Sequence, residues 1–172
     1  MSAASSPSSL VTSPPAIGCR LASSEAELET HFELRRAVFV AEQGLFADDD
    51  RDVRDASADT LHAVGYVDGV ASGAVRLYEI DSPARVWKGD RLAVLPEHRA
   101  NHLGAQLVRF AVSTAGWCGG STMIAHVQLP NVPFFEHLGW RVEEEPAPFH
   151  GAIHQLMSIG LARGAGVDGA CT

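Results

Sequence analysis

Arg91-Leu92-Ala93-Val94-Leu95-Pro96-Glu97-His98-Arg99-Ala100-Asn101-His102-Leu103-Gly104-Ala105 is the stretch on which the reading of this chain turns. Leu92 to Leu95 form a short apolar run of the kind that ends a buried strand. Pro96 and a polar turn follow. From Leu103 the apolar residues recur at helical spacing through Leu107, Phe110 and Ala111, and the helix runs to about Cys118. A strand that turns into a helix start gathers unpaired backbone N–H groups around one point, where a phosphate or pyrophosphate is favoured. Arg99 adds a cation to that turn, and Gly104 lets the backbone come close to a ligand.

Upstream, residues 16–21 read as a first strand. Ser24 ahead of Glu25 and Glu27 is an N-cap with acidic first-turn residues, and Leu28, Phe32, Arg35, Ala37 and Phe39 carry a helix to about Val40. Residues 42–59 hold Asp48, Asp49, Asp50, Asp52, Asp55 and Asp59 and read as a solvated acidic loop. Residues 61–67 and 70–78 flank Asp68-Gly69, a strong hairpin signal. A further strand spans about 85–95. Downstream, Gly119-Gly120 end the long helix and residues 122–128 form a strand. Residues 131–138 form a short helix with Pro133 in its first turn and Gly139 at its stop. Residues 140–144 and 152–161 supply the last two strands. The order β-α-loop-β-β-β-α-β-α-β-β predicts an α/β fold, a mixed sheet with helices on both faces.

The 172 residues suit one domain, over about 16–161, between an N-terminal tail at 1–15 read as disordered and a flexible C-terminal tail at 162–172. A net charge of −8 argues against nucleic-acid binding, which draws its affinity from Lys and Arg against phosphate, and suits an amine-bearing partner better. No apolar run approaches the roughly 18–20 residues of a membrane span. Cys19, Cys118 and Cys171 are odd in number and widely spaced, so they read as free thiols in a reducing cytoplasm.

With these elements in place, the chain resembles the GNAT superfamily of acetyl-coenzyme A-dependent N-acetyltransferases over about residues 17–161. The family motif Arg/Gln-x-x-Gly-x-Gly/Ala between strand and helix is similar to Arg99-Ala100-Asn101-His102-Leu103-Gly104, with His102 at the middle glycine position. A second signature, Asn before a short helix that ends in aromatic-x-Lys-x-Gly-aromatic, resembles Asn131 followed by Phe135-Glu136-His137-Leu138-Gly139-Trp140, with His137 in place of Lys. The "VFV" segment around Val38-Phe39-Val40 and the closing stretch from His150 to Met157 resemble a bacterial subgroup found with nitrilase-type gene clusters linked to nitrogen starvation.

The resemblance implies a mixed, mostly antiparallel sheet of six to seven strands, splayed near the fourth and fifth, and flanked by helices. It implies acetyl-coenzyme A as acyl donor, an amine acceptor, a cytoplasmic location and a homodimer as a common assembly. Carried over residue by residue, it gives Leu92, Ala93 and Val94 the pantetheine and the oxyanion. It gives Arg99, Ala100, Asn101, His102, Leu103, Gly104 and Ala105 the pyrophosphate, and Asn131 the pantetheine. Phe135 stands beside the cofactor where many members carry a thiolate-protonating Tyr.

An amine attacks a thioester only as the free base, so a proton acceptor is needed. His154, on the closing strand, is the first candidate, followed by His126 and Glu42, and Gln128 is placed to line the acceptor site. The absent Tyr and His102 leave open a second reading, a non-catalytic acyl-coenzyme A-binding sensor or partner in nitrogen metabolism. The VFV helix leaves open a synthase using a longer acyl group. No metal site is assigned. His150 and His154 on one strand would stand roughly 13 Å apart, and the acidic loop has Val53 where a calcium loop needs glycine. Gly164 to Gly169 spells GxGxxG but has no following helix to hold a dinucleotide.

Overall fold

Residues 14–162 of the chain are described by the structure, a computed structural model. In chain order they form β1 (Ile17–Leu21), α1 (Glu25–Arg36), β2 (Leu61–Val67), β3 (Val70–Asp81), β4 (Val86–Val94) and α2 (Leu103–Trp117). There follow β5 (Thr122–Gln128), α3 (Val132–His137), β6 (Arg141–Val142), β7 (Ala147–Phe149) and β8 (Ala152–Gly160). Apart from residues 14, 15 and 162, the expected tails lie outside the described residues, as do the GxGxxG segment and Cys171. Cys19 is a half-buried free thiol, whereas Cys118 is disulfide-bonded, against the expectation of a third free thiol. Among the described residues no helix is long and apolar enough to cross a membrane.

The strands form one sheet in the order β1-β2-β3-β4-β5-β8-β6, with β7 also paired to β8. Every pairing is antiparallel except β4 with β5. The expected mixed, splayed sheet is therefore present, with β7 as a strand beyond the seven expected. That strand is short and pairs through a tight turn in which His150 and Gly151 take φ of 46° and 79°. His-Gly supplies the two left-handed residues that Asp68-Gly69 supplies between β2 and β3, where φ is 49° and 81°.

α2 covers one face of the sheet. Leu103, Leu107, Val108, Ala111 and Ala115 lie along its buried stripe and meet Ala63, Val75, Trp87, Met123, Ala125 and Met157 in the main core. Each buried leucine contributes about 1.5–3 kcal/mol. The helix sits close to β2 and β3 because Gly65 and Gly73 lie beneath it. A Cβ on Gly73 would come within 2.8 Å of the Ala93 carbonyl and 2.9 Å of Leu107.

α1 starts as expected, with the Ser24 hydroxyl accepting from the Glu27 N–H. It gives way after Arg36 to a wider π turn over Ala37–Glu42, rather than running to Val40 as an α-helix. It packs on the face opposite α2, and there the acidic loop is solvated as expected except at Asp50 and Asp55. Asp50 is fully buried and Asp55 nearly so. Both carboxylates are bound by Arg35 of α1, at 2.8 Å to Asp50 and at 2.6 and 3.0 Å to Asp55. Arg76 of β3 reaches Asp52 at 2.7 and 3.0 Å, Asp55 at 2.9 Å and Asp90 at 2.7 and 2.8 Å. The loop is acidic because the two arginines under it are buried and must be compensated. Asp50, Asp52 and Asp55 are thus taken up by ion pairs with Arg35 and Arg76, while Asp48, Asp49 and Asp59 stay exposed.

Candidate functional site

β4 and β5 pair in parallel only over Val86–Lys88 and Thr122–Ile124. Beyond Lys88 they part, because the β3–β4 register slips between Ala74 and Arg76, so that Arg91 and Leu92 together face the single residue Val75. Arg91 takes φ of 52° at this bulge, which bends β4 away from β5. β4 from Gly89 to Val94 then has no strand partner on the β5 side. An extended ligand can hydrogen-bond there as a strand would.

A cavity of about 180 Å³ fills the wedge. Val108, Ala111, Met123, Phe135 and Trp140 form its apolar floor, under Leu92 and Asn131. Lys88, Asp90, Arg91, His126, Gln128 and His154 surround its other end, with Phe39, Gln43, Leu45, Phe46, Phe149 and His150. Of the residues expected from the sequence, Leu92, Asn131, Phe135, His126, His154 and Gln128 therefore share one cavity. Ala93 and Val94 do not line it; Ala93 is buried against Val38 and Phe39.

The turn from Arg99 to Ala105 also lies outside the cavity wall, beside its floor. Residues Pro96–Asn101 form a 3-10 turn that ends on His102 at φ 61°, and α2 begins at once with Leu103. A Cβ on Gly104 would meet Val94 and Phe134 only at 3.7 Å, so the protein itself leaves that approach open. Arg99 is already engaged. Its Nε donates to the Val94 carbonyl at 3.1 Å, and Glu42 takes its two terminal nitrogens at 2.8 and 2.5 Å. The backbone N–H groups are left as the main donors to an anion. Glu42 does not line the cavity, and Arg99 holds its carboxyl below the usual range. It is a weak proton acceptor in this arrangement.

Three imidazoles surround Phe149. His126 stacks on its ring at 3.9 Å and 8°, and His150 and His154 meet it edge-on at 4.3 and 5.6 Å. His150 sits in the β7–β8 turn rather than on one strand with His154, which corrects the strand spacing expected for the pair. Among the described residues no group of three or more His, Cys, Asp or Glu side chains is placed to hold a metal. Burial, followed by the charges of Lys88, His154 and His150, pushes the His126 pKa down. The ring is therefore neutral near pH 7, and its buried Nδ1 has no hydrogen-bond partner. His154 Nδ1 lies 3.1 Å from the Ala152 carbonyl, which accepts from it.

Sequence reasoning missed Lys88, Asp90, Arg91, Phe46, Phe149 and Trp140. Lys88 carried a signal: it is the only lysine in the chain, against 12 arginines among the 13 basic residues. Trp140 lines the cavity floor, and its buried Nε1–H has no acceptor among the described residues.

The model of the Acetyltransferase (GNAT) family matches residues 26–140. The chain belongs to the GNAT acetyltransferase family. Membership makes it an enzyme of the N-acetyltransferase class. A provisionally named acetyltransferase of Bacillus subtilis (strain 168) is 32% identical over 136 residues, which is 78% of this chain and 90% of that protein. The uncharacterized N-acetyltransferase YjcF of the same organism is 30% identical over 81% of this chain and 96% of its own length. A solved structure of a provisionally named N-acetyltransferase from Lactobacillus plantarum superposes with a TM-score of 0.76, at 28% identity, over 85% of this chain and 99% of that one. In this GNAT enzyme, the glycine missing from the motif is explained by the backbone. Position 102 is left-handed, where glycine is unstrained and histidine is among the better-tolerated alternatives.

Proposed function

We propose that this chain transfers an acetyl group from acetyl-coenzyme A directly to the amine of a small molecule, in the cytoplasm. The observation that carries the reading is the parting of β4 from β5 beyond Lys88, with a cavity in the wedge beside the Arg99–Ala105 turn. The pantetheine arm lies along the free edge of β4 from Leu92 to Val94, with Asn131 beside it. The pyrophosphate lies at the amides of Arg99, Ala100, Asn101, His102, Leu103, Gly104 and Ala105. The acceptor enters from the end lined by Phe149 and the imidazoles.

The free amine attacks the thioester carbonyl, a C–N bond forms and the C–S bond breaks. A β4 backbone N–H steadies the oxyanion. The amine's proton passes to an imidazole. Between His126 and His154, we favour His126, because burial keeps its ring neutral near pH 7 and the ring lines the cavity. Glu42 serves better as the partner that sets Arg99 in place. Phe135 is packed edge-on against Trp140 at 5.3 Å and offers no proton. The departing thiolate therefore takes its proton from solvent or from the imidazolium. The subgroup signatures at Val38-Phe39-Val40 and His150–Met157 support a place in nitrogen metabolism.

Free-thiol release across an amine panel tests this reading. Amine-dependent release that falls at least about 100-fold in His126→Ala is the expected result, the usual scale of general-base loss. Thermal stabilisation by acetyl-coenzyme A with no release from any amine would replace transfer with binding alone. Full activity in both His126→Ala and His154→Ala would remove the imidazoles as bases.

A further inference from the structure

The acceptor end of the cavity carries one cation that the protein leaves uncompensated, and its position narrows the substrate class. Three charged residues line the wall: Lys88, Asp90 and Arg91. Asp90 is fully used, since Arg76 binds both its oxygens at 2.7 and 2.8 Å and the Tyr78 hydroxyl donates at 3.1 Å. Arg91 is bound to Asp50 at 3.1 Å and to Asp52 at 3.3 Å. Lys88 makes no ion pair or hydrogen bond among the described residues. Its ammonium stands 4.9 Å from the centre of the Phe149 ring, at the apex where β4 and β5 part. An ammonium that is half-buried and unpaired is costly in a finished fold. A ligand anion that completes it recovers that cost.

On the reading above, we infer that the acceptor is an amine that also carries a carboxylate, with Lys88 as the carboxylate's anchor and an aromatic or aliphatic side chain packed among Phe39, Phe46 and Phe149. A single compact ammonium matches a monoanion, whereas a phosphate dianion needs a second free cation that this wall lacks. The anchor also orients the reaction. Lys88 and His126 are close enough for the lysine's charge to weaken the imidazole as a base. A carboxylate on Lys88 relieves that effect at the moment an amine arrives beside His126. Burial lowers the Lys88 pKa as well, and an anion at the site reverses this.

Because Lys88 is the only lysine, the full chain grown with lysine labelled with ¹³C at Cε gives one lysine resonance. Titration with N-acetylphenylalanine should shift it, and with the uncharged N-acetylphenethylamine should not. No shift with either, or an equal shift with both, overturns the anchor. In kinetics, kcat/KM for phenylalanine should exceed that for phenethylamine by about 10-fold or more, and Lys88→Gln should bring the ratio within about twofold of one, as expected for one charge-assisted contact. A native preference for phenethylamine, or a ratio unchanged in Lys88→Gln, contradicts the proposal while leaving acyl transfer intact. Acetylation of Lys88 itself by acetyl-coenzyme A overturns it too, by making the amine a nucleophile. If acetyl-coenzyme A binds but no amine of the panel turns over, the transferase reading fails, and the resonance titration alone decides Lys88.

Discussion

The two ends of the wedge are built in different ways. The donor end is made of backbone: the unpaired edge of β4 past Gly89, the turn from Arg99 to Ala105 and the first amides of α2. The acceptor end is made of six side chains drawn from five separate elements, Phe39, Lys88 and Arg91, His126, Phe149 and His154, held over a buried layer of arginines and aspartates. A backbone site needs one contiguous run of sequence to shape it. A side-chain site needs the whole fold, and its stability is tied to the layer beneath it. Changes at the donor end should therefore act on ligand affinity, and changes under the acceptor end on folding.

The largest effect is expected at Arg76. It is 1% exposed and compensates Asp52, Asp55 and Asp90 at once. Arg76→Ala leaves Asp90 with no ion pair and Asp55 with Arg35 alone, and should cost about 3–5 kcal/mol in denaturant unfolding. A loss below about 1 kcal/mol would mean that the acidic loop is not fastened by this layer.

Next in size is a pH dependence from the same layer. Burial, with His62 and Arg35 adding to it and the Ala63 carbonyl opposing, lowers the His31 pKa to about 3. The unfolded value is about 6.5. The folded value is the lower one, so the stability is full above pH 6.5 and is lost as pH falls from there toward 3. At pH 4.5 the loss should reach roughly 3 kcal/mol. His31→Gln should flatten that slope, read as unfolding midpoints between pH 4.5 and 7. An unchanged slope would assign it to His62, whose pKa burial also lowers.

At the donor end the same measurements should separate. Gly104→Ala puts a methyl group where the protein has room, 3.7 Å from Val94 and Phe134. The fold should hold or gain up to about 1 kcal/mol in helix propensity, while acetyl-coenzyme A affinity falls about 10-fold or more, the equivalent of roughly 1.4 kcal/mol. The smallest effect is expected at His102, where glycine relieves the left-handed strain and should stabilise the protein by about 0.5–1 kcal/mol with donor binding kept.

The contrast also explains what could be read in advance. The hairpin at Asp68-Gly69, the helix from Leu103 and the strand from Thr122 to Gln128 each follow from local chemistry, and the structure has them at the expected places. β7 was missed because three residues give too little alternation to read, and its turn uses His-Gly in place of Asp-Gly. The ion pairing of Asp50, Asp52 and Asp55 in the otherwise exposed acidic loop could not be read, because it depends on Arg35 and Arg76, which lie 15 to 24 residues from these partners and show nothing in sequence that marks them as buried. The pairing of Glu42 with Arg99 spans 57 residues and was equally hidden. Lys88 was in plain view as the lone lysine, yet only the parting of β4 and β5 shows that it faces a cavity.

Amide hydrogen exchange with and without acetyl-coenzyme A tests the donor end most directly. Protection confined to residues 92–94 and 99–105, with β1 and β2 unchanged, is the result this account predicts. Exchange at those two segments that is unaltered by saturating acetyl-coenzyme A would contradict it.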